Sequence, residues 1–138
     1  MKKLVKSSRK KLGTVLMAGA IVTSAFSFGT TADAASQSYA SSSFGYGVYV
    51  GGGYGTNFNL DGTAHFTATH KAVYSGDASG VVYQIRTTSE TVVKSNSEAG
   101  AITNKEVRVD GPTGTKKAYL RNMYNESTPQ SASGTFGY

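Results

Sequence analysis

From Thr56 onward the chain is cut every few residues by a turn signal. No stretch between the cuts carries an apolar stripe at i, i+3, i+4, i+7 longer than one helical turn. The cuts fall at Asp61-Gly62, Ser75-Gly76-Asp77, Ser79-Gly80, Glu98-Ala99-Gly100, Asp110–Gly114 and Ser133-Gly134. Between them Thr, Val, Tyr and Phe dominate, the residue types that suit a half-buried pleated surface. A chain written this way has no helix to lay over a sheet, so one sheet must cover another. The pattern predicts strands over 54–60, 63–74, 81–88, 90–95, 102–109, 116–124 and 132–137. The fold class that follows is all-β, a small antiparallel β-sandwich of about seven short strands.

The period-two alternation nominates a core of Phe58, Leu60, Phe66, Val73, Val81, Tyr83, Ile85, Val93, Ile102, Val107, Val109, Ala118, Leu120, Tyr124 and Phe136. Two hairpins follow from local chemistry. A three-residue loop Leu60-Asp61-Gly62, with Gly62 in the left-handed conformation, sets Phe58 opposite Ala64 and Thr56 opposite Phe66. A second hairpin over Asp110–Thr115 sets Val109 opposite Lys116, Val107 opposite Ala118, and Arg108 opposite Lys117.

The N-terminal part reads differently. Met1–Lys11 is basic, Leu12–Phe28 is apolar, and Ala32-Asp33-Ala34 is a small-x-small cleavage site. This is the layout of a secretory signal peptide over residues 1–34, cleaved after Ala34. The expectation is therefore a secreted, extracellular protein with no transmembrane segment in its mature chain. Residues 35–55 are low in complexity, Ser-rich first and then Gly/Tyr-rich. Such composition buries little against its ordering entropy, so Ala35–Ser43 is expected to be a flexible arm. The Tyr/Val/Gly part beyond it alternates and suits an edge strand. The β-sandwich domain is then 56–138.

The formal charge of +6 belongs mostly to the leader. Six of the 14 Lys and Arg and one of the eight acids lie in residues 1–34, leaving eight cations against seven acids. The mature chain carries no basic excess that would point to nucleic acid. With no cysteine there is no disulfide, thiolate metal ligand or thiol nucleophile.

The chemistry-bearing residues are sparse. His65 and His70 are the only histidines, and their odd separation places them on opposite faces of a strand, which argues against a shared metal. No G-x-S-x-G elbow is present, and the mature acids are scattered among turns and strand margins. The Gly-rich run lacks the Lys of a phosphate-binding loop. The expectation is a protein that is not an enzyme, with no catalytic residue, cofactor or metal.

Val81–Arg86, Gly114–Arg121 and Ser131–Phe136 together resemble segments of small secreted β-rich proteins of Gram-positive bacteria. That resemblance implies a β-sandwich and secretion and transfers no functional residue. Gly45-Tyr46-Gly47, Gly62–His65 and Lys117–Tyr119 are similar to pieces of the lactococcin 972 family of cysteine-free bacteriocins. That family is Trp-rich near its start, whereas this chain has no Trp.

One candidate binding surface emerges. On the strand 116–124, Lys117, Tyr119, Arg121 and Met123 share the face opposite Ala118 and Leu120. With Arg108 opposite Lys117, the residues Arg108, Lys117, Tyr119 and Arg121 form an exposed cationic patch around a tyrosine, suited to an anion. The function expected is non-catalytic binding of an anionic cell-wall polymer or a surface protein. The alternative is a bacteriocin-like protein acting on the envelope of competing cells.

Overall fold

A computed structural model describes residues 35–138; the secretory leader expected over 1–34, with its cleavage site, lies outside the described residues. Nine strands follow one another: β1 (Ser36–Phe44), β2 (Gly47–Tyr49), β3 (Phe58–Asp61), β4 (His65–Ala72), β5 (Gly80–Arg86), β6 (Val92–Ala99), β7 (Ile102–Arg108), β8 (Thr113–Asn122) and β9 (Gln130–Gly137). They form two antiparallel sheets packed face to face, a β-sandwich. The first sheet has the order β1-β9-β4-β7. The second has the order β2-β8-β5-β6, with β3 also paired to β8. Among the described residues no helix is long and apolar enough to cross a membrane.

Alternation decides which side chains meet between the sheets. In β4, Phe66, Ala68 and His70 are buried while His65, Thr67 and Thr69 are only partly covered. In β5, Val81, Tyr83 and Ile85 point inward; in β8, Ala118, Leu120 and Asn122 do. Phe66 and Phe136 lie at the centre with ring centroids 4.8 Å apart, flanked by Phe58 at 5.0 Å from Phe136 and Tyr83 at 5.0 Å from Phe66. Each such side chain contributes about 1.5–3 kcal/mol of transfer free energy when fully buried, and the tilted ring contacts add to it.

Several expectations are corrected. Ala35–Ser43, expected as a flexible arm, instead falls from Ser36 onward in β1, a strand paired along β9. Its inward Tyr39 meets the edge of Phe66 at 6.1 Å, and that contact holds an otherwise polar strand in place. The hairpin expected at Asp61-Gly62 does not form. Gly62 does have a positive φ of 105°, but the chain crosses there from the second sheet to the first. Phe58 therefore pairs with Lys116 of β8, and Phe66 with Phe136 and Val107. The second expected hairpin also becomes a crossing: β7 pairs with β4, and β8 with β2, β3 and β5. Val73 and Tyr124 follow the ends of β4 and β8 and are exposed. Val93 is exposed because it is the extra residue of a β-bulge, between the pairs Ile85–Lys94 and Arg86–Val92.

The bulge leaves Lys94, Asn96 and Glu98 opposite the inward-facing Ile85, Tyr83 and Val81. The side of the sandwich where β6 runs beside β7 is accordingly laced by polar groups. Lys105 pairs with Glu98 at 2.6 Å, Asn96 Nδ2 donates to the Arg108 carbonyl at 3.1 Å, and Lys94 Nζ donates to the Asp110 carbonyl. The opposite side, between β1 and β2, has no such lacing and leaves a cleft.

Candidate functional site

The solvent-facing side of the second sheet is built by three neighbouring strands. Register places Tyr119 between Tyr49 on β2 and Gln84 on β5, and places Arg86 directly opposite Lys117. Like charges in that relation destabilise a sheet. Here the conflict is avoided because the Arg86 guanidinium turns away and stacks on Tyr119, 3.7 Å from the ring centroid. Gln84 fixes that orientation: its Oε1 accepts from Arg86 Nε at 3.0 Å and from Nη2 at 2.7 Å. Gln84 is buried although it points outward, because the guanidinium and the neighbouring strands cover it. Arg86 Nη1 donates to the Tyr49 hydroxyl at 3.3 Å. Its remaining N–H groups have no partner among the described residues.

The two tyrosines hold each other with centroids 4.6 Å apart, and Lys117 Nζ lies 5.4 Å from the Tyr49 centroid. A cation over an aromatic face gains about 0.5–1 kcal/mol when exposed and more when desolvated. Burial pushes the Tyr119 phenol above its ordinary value, against the opposing pull of Arg86. The hydroxyl therefore stays protonated and able to donate.

The Gly-rich run has a purpose in this arrangement. A Cβ on Gly47 would occupy the place of the Tyr119 hydroxyl end, and a Cβ on Gly55 would come within 2.8 Å of the Tyr49 ring. Both rings lie down on the sheet only because these positions carry no side chain.

Of the residues expected to bind, Lys117, Tyr119 and Arg121 are together on this face, with Arg121 opposite Gly47 and Val82. Arg108 is not with them. It lies on β7 of the first sheet opposite His65, and its guanidinium is held by Asp110 at 2.6 Å and Glu106 at 3.0 Å. The cation that meets Lys117 across the strands is Arg86. Among the described residues Arg86, Lys117 and Arg121 make no ion pair. Tyr49, Gln84 and Arg86 escaped the reading of the sequence. A signal was present for two of them, since Val82, Gln84 and Arg86 alternate with the core residues Val81, Tyr83 and Ile85.

The histidines do occupy opposite faces. His65 is on the outside, its ring lying across Gly137. His70 is buried, with Nδ1 2.6 Å from the Tyr83 hydroxyl and Nε2 2.8 Å from the Gly100 carbonyl. A carbonyl only accepts, so Nε2 carries the proton and Nδ1 accepts from Tyr83. Burial lowers the His70 pKa below its ordinary 6.5.

No protein-family model matches the chain, and no curated protein matches it in sequence. Among solved structures the chain is similar to an arabinose-bound α-L-arabinofuranosidase, with 12% identity and a TM-score of 0.40. The alignment covers 68% of this chain and 17% of that one.

Proposed function

We propose that this is a secreted, non-catalytic protein that binds an anionic polymer of a Gram-positive cell surface through the outer face of its second sheet. The observation that carries this reading is the Arg86 guanidinium, stacked on Tyr119 and oriented by Gln84, beside Lys117 and Arg121, with no carboxylate among the described residues paired to any of the three. A pre-oriented guanidinium has already lost the side-chain entropy that a free surface arginine gives up on binding. Its planar fork matches phosphate or carboxylate oxygens. Tyr49 and Tyr119 supply rigid contact area with polar tips for a sugar or polyol backbone. The near-neutral mature chain makes this a local recognition surface and not a general polyanion sink.

The test is co-sedimentation of residues 35–138 with purified Gram-positive walls, and titration with poly(glycerol phosphate) and polygalacturonate, at low and high salt. Binding should weaken with salt. It should fall in the Lys117→Ala/Arg121→Ala double variant and further when Arg86→Ala is added, while circular dichroism stays unchanged. Wall binding equal to wild type in the triple variant would leave this face without a role. Growth inhibition of indicator cells by the purified protein, unaffected by the triple variant, would favour an antibacterial protein acting elsewhere on its surface.

A further inference from the structure

We infer that the free edge of β1, together with the cleft beside it, receives an extended peptide strand from another protein, with an uncharged apolar side chain seated in the cleft. This surface adjoins the cationic face of the second sheet and shares Tyr49 with it.

Among the described residues no strand pairs with the outer edge of β1. Tyr138 N–H donates to the Ala35 carbonyl, which fixes the phase of the β1–β9 ladder. Backbone groups alternate in direction along a strand. Those of Gln37, Tyr39 and Ser41 therefore face β9, and those of Ser36, Ser38 and Ala40 face outward, where the Ser38 carbonyl accepts from the Gln37 side chain at 3.1 Å. A row of unpaired N–H and C=O groups is a template for another strand, and folded proteins normally blunt it. The other edges of this sandwich are blunted. β6 carries Lys94 and Glu98, β7 carries Lys105, Glu106 and Arg108, and β2 and β3 are only three and four residues long. β1 is nine residues long, with neither charge nor proline, and pairs regularly with β9 over Ser36–Ser41 before a bulge at Ser42 and Ser43.

The cleft is the second, independent observation. It opens between the sheets at this same edge, has a volume of about 320 Å³, and is walled by Tyr39, Val48, Tyr49 and Leu120 beside the β1 backbone at Ser38 and Ala40. No charged residue lines it. Strand addition uses this combination: main-chain hydrogen bonds supply affinity, and a pocket for one side chain supplies selectivity. A second copy of this chain fits less well. The inward residues of its own β1 include Tyr39, whose ring is already packed against Phe66. A copy pairing through its own β1 therefore has no free apolar side chain on that strand to place in the cleft.

The probe is a capped peptide, acetyl-Ser-Thr-Val-Thr-Leu-Thr-Ser-amide, titrated into 15N-labelled residues 35–138. Shift changes should concentrate at Ser36, Ser38, Ala40, Val48 and Leu120, and the amides of Ser38 and Ala40 should gain protection from exchange. Replacing its Leu by Asp should weaken binding by about tenfold or more, since a carboxylate would be desolvated without a partner. N-methylating that peptide's backbone should abolish binding with the protein untouched. Ala40→Pro removes an outward N–H while sparing the β9 ladder; it should abolish peptide binding and leave wall-polymer binding intact. The Arg86/Lys117/Arg121 triple variant should do the reverse. Equal binding of the Leu and Asp peptides, shifts centred on β6 or β7, or no shift at millimolar peptide would overturn the inference. So would a β1-mediated dimer, lost in Ala40→Pro, that excludes the peptide.

Discussion

Tyr39 and Tyr83 both reach into the space between the sheets, yet removing their hydroxyls should move stability in opposite directions. Tyr83 donates to His70 Nδ1 at 2.6 Å inside the core. Tyr83→Phe keeps the ring against Phe66 and leaves that nitrogen buried without a donor. An acceptor stranded in this way costs about 1–3 kcal/mol. For a domain of this size, 1 kcal/mol moves the melting midpoint by about 4–8 °C, so a loss near 2 kcal/mol lowers it by roughly 10 °C. The Tyr39 hydroxyl is buried with no partner among the described residues, and burial raises its pKa. Tyr39→Phe removes an unsatisfied group and should leave the midpoint unchanged or raise it by a few degrees. The assay is thermal and urea unfolding followed by far-ultraviolet circular dichroism at pH 7.5, where His70 is neutral. Equal destabilisation by the two substitutions would refute the reasoning, because the difference rests wholly on which hydroxyl has a partner.

Acid should weaken the fold through His70. Its native pKa lies below 6.5, so the unfolded chain takes up the proton first. Its contribution is complete above about pH 6.5 and is lost as pH falls through the lowered native value; urea midpoints from pH 7.5 to 5 should decline, with a shallower slope in His70→Gln. Phe136→Ala, at the centre of the aromatic cluster, should cost about 3–5 kcal/mol in the same denaturation assay. Gly47→Ala forces the Tyr119 ring off the sheet and should cost about 1–3 kcal/mol, with weaker wall binding; unchanged tyrosine shifts in its NMR spectrum would contradict the seating described. Arg108→Ala should leave wall binding at the wild-type level in co-sedimentation, because Asp110 and Glu106 already occupy that guanidinium.

The two faces of β4, β5 and β8 could be read from the sequence because alternation is a local property and one face of each strand is buried. Ala118 and Leu120 face inward and Tyr119 outward as their spacing requires. Partner choice was not readable. The Asp61-Gly62 and Asp110–Gly114 turns suit hairpins, but at both places the chain changes sheets, which depends on where β8 and β9 lie and not on turn chemistry. That error moved Arg108 into the binding patch and left Arg86 out. Ser36–Phe44 misled by composition: a strand rich in serine lacks an apolar face, yet Tyr39 and Phe44 supply enough contact once β9 offers a ladder. Val93 misled because a bulge shifts facing by one residue and leaves little mark in a polar strand.

The order of the first sheet has a consequence for how the chain comes to be folded. β9, the last of the described strands, sits between β1, the first of them, and β4. Until β9 emerges, β1 has no neighbour in its sheet, Phe66 lacks Phe136, and β4 is paired on one side only. Closing the sheet then requires contacts across nearly the whole described length, the kind of topology that folds slowly. In a nascent chain of this design the second sheet and the β4–β7 pair can assemble first, whereas β1 stays without a sheet partner until β9 arrives to join it to β4.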